Sequence, residues 1–283
     1  MQELDEYINK VKHLPPAPRV LPELLTLLSN EDVDSDRVVS LIAYDPSITA
    51  AVLQLCNSAF YSPSTSIGDL SQAVTWLGFK QVYQLVTAVV GARTLGPEQK
   101  GYGLGRGELW QHTVASAVAA QVMARRIGED DENLVFTAAL LHDVGKIVLS
   151  EALEHIYAKL VEETEQKQHS LLEAEKRLLG VQHAEVGGRL LSRWKFPVPI
   201  VSAVWWHHQP KAAKPHDRLA AYVYLSNLIA HFLGHSYGHQ ALAMRGRAEA
   251  LEILGLSPET LPHYMIETVE QLTLVNAMFK SLV

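Results

Sequence analysis

Apolar residues recur at three- and four-residue steps along most of the chain, a period that fits helix and little else. In "RVLPELLTLLSN", Leu21, Leu24, Leu25 and Leu28 mark one face. "DVDSDRVVSLIAYDPSITAAVLQLCNSAF" reads as two helices parted by a turn. Asp45–Pro46 supplies a start for the second, with an acceptor side chain at the N-cap and proline at the first helical position. "DLSQAVTWLGFKQVYQLVTAVVGART" reads as two more helices, broken near Gly78. Strand-type alternation with hairpin signals is scarce, so an all-α fold is expected.

Residues 95–110, "LGPEQKGYGLGRGELW", interrupt the helical period with five glycines and a proline. No strand precedes them and no Lys-Ser/Thr follows, so the mechanism of a phosphate loop has no footing. The stretch reads as a linker. The expected division is a helical subdomain over 1–95, a glycine-rich linker over 96–109 and a second helical subdomain over 110–283. In that second half, "LWQHTVASAVAAQVMARRIG" ends at Gly128, a C-cap. "DENLVFTAALLHD" is apolar almost all round and should be central. The charge run "EETEQKQ" reads as a solvated face.

With 48% hydrophobic and 19% charged residues among 283, the composition is that of a globular protein. A net charge of −7 leaves no basic surplus for bulk nucleic-acid binding. The single cysteine, Cys56, excludes an intrachain disulfide framework and suits a reducing cytoplasm; its apolar surroundings make it a core residue. The start "MQELDEYINKVKHLPP" lacks a signal-peptide core. Nor does the sequence show a run of about 18 uncharged apolar residues. A cytoplasmic protein with no membrane contact is expected.

Thirteen histidines are the unusual feature, and their positions matter most. His112 shares a helical face with Ala115, Ser116 and Ala119, small residues that let another helix approach. His142–Asp143 closes the buried helix, with Lys146 one turn on. His183 opens "HAEVGG", where Gly187 again permits close approach. His207 and His208 end "AVWWHH", and Asn227 and His231 share a face of "YLSNLIAH". Imidazoles with a carboxylate suit Zn²⁺, Fe, Mn²⁺ or Ni²⁺, and such an ion acidifies water into a nucleophile for phosphorus. Lys146 could stabilise phosphate charge. The plainer reading makes Asp143 an N-cap and Lys146 a solvated side chain.

The second half resembles the HD superfamily of metal-dependent phosphohydrolases, through His112, His142–Asp143, Lys146, His183 and His207–His208 in order. The first half is similar to the leader of HDOD proteins. Leu14–Pro15–Pro16, Asp45–Pro46, Asn57–Ser58 and Leu77–Gly78 follow that family's order, and the likeness covers roughly residues 10–235. It implies a multi-helix HD-like bundle with an additional N-terminal helical subdomain, acting as a regulatory domain of bacterial signal transduction without general catalytic activity.

On this resemblance the metal ligands would be His112, His142, Asp143, His183, His207 and His208, with Asp143 and Lys146 as catalytic groups if catalysis occurs. Two departures stand out. Asn227 falls where HD hydrolases carry a closing aspartate, and no Gly-Tyr-Pro follows the His-His pair in "HHQPKAAKPHDRL". Asp143, His183 and His207 or His208 could still hold one ion at partial occupancy, and His231 could replace the missing carboxylate. The leading expectation is therefore a regulatory binding protein with a cleft between its subdomains. Its partner would be a separate signalling protein, because no input domain fits this length; a nucleotide or phosphate is a further candidate ligand. The alternative is a metal-dependent phosphohydrolase acting on a nucleotide or phosphodiester.

Overall fold

The computed structural model describes residues 2–10, 20–28, 35–43, 45–58, 61–63, 66–235 and 247–279. Leu14–Pro15–Pro16 and His239 lie outside the described residues. Among those described there are sixteen α-helices and no strand, as the apolar period requires. The first half supplies α1 (Gln2–Lys10), α2 (Val20–Leu28), α3 (Ser35–Ala43), α4 (Pro46–Cys56), α5 (Leu70–Leu77) and α6 (Phe79–Leu95). The second half begins with α7 (Glu108–Ile127), α8 (Glu132–Leu141), α9 (Gly145–Glu154), α10 (Tyr157–Val161) and α11 (Leu171–Leu179). It continues with α12 (His183–Arg193), α13 (Val198–Trp205), α14 (Asp217–Phe232), α15 (Arg247–Leu254) and α16 (Leu261–Phe279).

The local signals act as expected. Asp45 Oδ1 accepts the Ile48 N–H at 3.1 Å and starts α4. Gly78 separates α5 from α6, and left-handed Gly128 closes α7. Asn57 ties a turn together: its side chain donates to Leu53 O and Ile67 O and accepts the Ile67 N–H, all within 2.9 Å.

Helices α7, α8 and α14 form the centre. Ala115, Ala117, Ala119, Ala120 and Ala124 are all buried on α7, and such small side chains let neighbouring backbones approach closely. Leu95, Leu104 and Leu109 form a small second cluster, and the main apolar core runs from Leu4 on α1 to Leu272 on α16. Polar contacts join the two halves across it. Tyr83 on α6 and Thr137 on α8 share a buried hydroxyl contact of 2.6 Å. On α1, Asp5 receives the Arg189 fork of α12 through two bonds of 2.8 Å.

The stretch Glu132–Glu154 has the length and apolarity of a membrane span, which the sequence was not expected to contain. An 18-residue window of it is nonetheless 89% buried inside this protein, as a core helix pair would be.

The glycine-rich stretch between α6 and α7 is more than a spacer. It forms a short 3-10 turn, Lys100–Tyr102, laid against α9. The Gly101 N–H donates to Ser150 Oγ at 3.1 Å, and a Cβ on Gly101 would collide with the Ser150 carbonyl oxygen.

Candidate metal centre

His142, Asp143 and Val144 make the turn from α8 into α9. Buried at the end of an apolar helix, the Asp143 carboxylate has two faces. Its Oδ2 lies 3.4 Å from His142 Nε2, 3.7 Å from His112 Nε2 on α7 and 2.7 Å from Lys146 Nζ. Its Oδ1 lies 3.3 Å from His183 Nε2 at the start of α12. The Asp143 side chain therefore points inward and does not cap α9, and Lys146 is buried, not solvated.

The expected residues come together. His112, His142 and Asp143 offer ligand atoms within 4.8 Å of one another, and so do His183, His207 and His208. His207 and His208 sit in the turn just past the last residue of α13, not on the helix. His208 Nε2 is 3.1 Å from His183 Nε2. His231 on α14 joins the edge of the cluster, its ring centroid 4.7 Å from that of His112. One turn earlier Asn227 is buried with its Oδ1 unpaired.

Close approach of α9 and α12 builds this geometry. A Cβ on Gly145 would strike the His183 carbonyl oxygen, so only glycine lets the two helix starts meet. Gly187 packs against the Gly145 N–H from the other side, as its spacing from His183 suggests.

Hydrogen bonds at Nδ1 orient three of these imidazoles. His142 Nδ1 contacts Ala139 O at 2.7 Å, His207 Nδ1 contacts Val204 O at 2.7 Å, and His112 Nδ1 contacts His235 O at 2.5 Å. Inward-facing Nε2 atoms are what a metal needs from imidazole. His207 Nε2 has no hydrogen-bond partner, and His142 Nε2 and Asp143 Oδ1 have only the loose contacts of 3.4 and 3.3 Å within the cluster. Buried polar atoms are seldom left so, and their convergence fits a divalent cation.

Burial pushes the His112, His207 and His208 pKa values well below the usual range for histidine. His183 departs: burial lowers its pKa, but Glu175 and Asp143 overcome this and raise it to about 9. Burial opposes ionisation of Asp143 too, yet His142 and Lys146 hold its pKa well below the ordinary carboxylate range. The chain's own ammonium thus neutralises the Oδ2 side, while the three-imidazole side carries the neutral donors of His207 and His208.

Glu175 was not singled out from the sequence. It is fully buried on α11 and accepts both the His183 backbone N–H, at 2.8 Å, and its Nδ1, at 2.9 Å. A signal existed: Glu175 falls on the apolar stripe of Leu171, Ala174 and Leu178, where an acid is out of pattern. Tyr102 donates to the same carboxylate at 2.7 Å.

An all-helical bundle holding imidazoles around one buried carboxylate at a helix–helix turn defines a protein of the HD type. The HDOD domain family matches residues 14–210, and the chain belongs to that family. A structure named "Putative phosphohydrolase", from Shewanella amazonensis SB2B, is 26% identical with a TM-score of 0.72 and covers 99% of this chain and 98% of its own. A "Putative signal transduction protein" from Marinobacter aquaeolei VT8 is 22% identical with a TM-score of 0.77, covering 99% of this chain and 65% of its own. An uncharacterized protein of Treponema pallidum (strain Nichols) is 27% identical over 229 residues, 80% of this chain. The chain spans 44% of that relative's length.

Proposed function

We propose that this HDOD protein is a regulatory element of signal transduction that acts by binding and does not turn over a substrate efficiently. One observation carries the reading: Lys146 Nζ sits 2.7 Å from Asp143 Oδ2, beside an α14 that offers Asn227 where the HD resemblance expects an aspartate. With one carboxylate already paired, little anionic charge remains to offset a second dication. A single ion of Fe, Mn, Ni or Zn, held by Asp143 with His183, His207 and His208, would be partly occupied. Its chemical contribution would be Lewis acidity. Lys146 would bind a phosphate or nucleotide ligand, and the partner would be a separate cytoplasmic signalling protein.

The second reading, a metal-dependent phosphohydrolase, draws on the complete set of inward-facing imidazoles and on the relative named as a phosphohydrolase. Elemental analysis of the full chain, followed by assays on generic and cyclic-dinucleotide phosphodiesters with Mn²⁺, Fe²⁺, Ni²⁺ or Zn²⁺, separates the two. Substoichiometric metal and negligible turnover are expected. Efficient turnover that disappears in both His142→Ala and Asp143→Ala would reverse the order of the readings.

A further inference from the structure

We propose that Tyr102 and Glu175 are positioning residues that fix which nitrogen His183 turns toward a bound divalent ion. The inference rests on the metal reading above and concerns groups outside the ligand set. A carboxylate only accepts, so the His183 nitrogen facing Glu175, Nδ1, carries the proton. That leaves Nε2 to face Asp143 Oδ1 and His208. The same carboxylate accepts the His183 backbone N–H, which locks the ring to the first residue of α12.

Glu175 is itself constrained. Its Oε1 accepts the Tyr102 hydroxyl at 2.7 Å, so the carboxylate is held from α12 on one side and from the glycine-rich stretch on the other. Tyr102 reaches it because Gly101 brings the backbone onto α9, where a side chain at 101 would not fit. The stretch that joins α6 to α7 therefore reaches His183 through two hydrogen bonds, Tyr102 to Glu175 and Glu175 to His183. Groups that orient ligating histidines in this way typically contribute about 10–100-fold in metal affinity.

The test is Zn²⁺ affinity of the full chain, measured by competition with a chromophoric chelator. The proteins compared are the natural sequence, Glu175→Gln, Tyr102→Phe and the double variant. Tyr222→Phe serves as control, because its hydroxyl meets Glu129 away from the centre. Glu175→Gln should weaken Zn²⁺ binding by about 10–100-fold. Tyr102→Phe should weaken it less, and should add nothing in the Glu175→Gln background, whereas Tyr222→Phe should have no effect. Ring ¹⁵N shifts of the Zn²⁺-loaded natural protein should show His183 bound through Nε2.

Equal affinity in all variants overturns the proposal, as does coordination of His183 through Nδ1. A Tyr102→Phe loss that adds in full to that of Glu175→Gln also overturns it, because the two would then act independently. If Glu175→Gln lowers the melting temperature sharply, Tyr102→Phe with the ¹⁵N shifts still decides. A natural protein that takes up no Zn²⁺ overturns the metal reading together with this one, an outcome distinct from equal binding by all variants.

Discussion

Asp143 presents its oxygens to different partners, Oδ2 to His112, His142 and Lys146 and Oδ1 to His183. Removing it would strand both histidine groups and leave Lys146 without its carboxylate. Asp143→Ala is therefore expected to lose metal below detection by elemental analysis, whereas Asn227→Ala should change occupancy little. Loss of metal in Asn227→Ala alone would mean the ion sits on the α14 side. Cys56 offers a second test at this scale. Burial raises its thiol pKa to about 11, so a water-soluble thiol reagent at pH 8 should label it slowly until denaturant is added. Rapid labelling of the folded protein would contradict its place in the core. The candidate ligands were legible because their types and order are unusual. Glu175 was less so: an acid on a charged helix resembles its exposed neighbour Glu173, and only its place on the stripe of Leu171, Ala174 and Leu178 sets it apart before packing does.

Helix starts and stops were legible wherever a cap or glycine marks them, as at Asp45, Gly78 and Gly128. Which helices cross was not, since contact between α9 and α12 depends on residues 38 positions apart, Gly145 and His183. That crossing predicts a cost. Gly145→Ala forces a methyl group against the His183 carbonyl and should destabilise the protein by about 1–3 kcal/mol in urea denaturation. An unchanged midpoint would show that the helices can part freely. The seat of α1 on α12 is electrostatic at its rim. Hydrogen bonding from Arg189 lowers the Asp5 pKa from 3.8 to about 2. A depressed carboxylate stabilises the folded state above its unfolded value and loses that contribution as pH falls through its folded one. Between pH 4 and pH 2 the natural protein should therefore lose more thermal stability than Asp5→Asn, and equal slopes would show that this contact contributes nothing.

At the scale of the molecule, the glycine-rich break marks two helical units; the main apolar core holds residues of both, and a small second cluster of Leu95, Leu104 and Leu109 sits at the break. Tyr83–Thr137 and Asp5–Arg189 add polar links across the same boundary. Urea unfolding should consequently be one cooperative transition, with coincident midpoints from far-ultraviolet circular dichroism and tryptophan fluorescence. Two separated transitions would mean that the halves fold alone. The shared core was hidden from the sequence because periodicity tells which face of a helix is apolar and not which other face will cover it. The depth of the histidine cluster has a consequence in time. His112, His142 and His207 are wholly enclosed, and Asp143 and His183 nearly so. Of the candidate ligands His208 alone is partly exposed, so an ion would enter or leave past that residue or during a local opening of the bundle. Loaded and unloaded molecules would interconvert slowly, and a freshly purified sample would keep a record of the medium in which each chain folded until it was equilibrated with added ion.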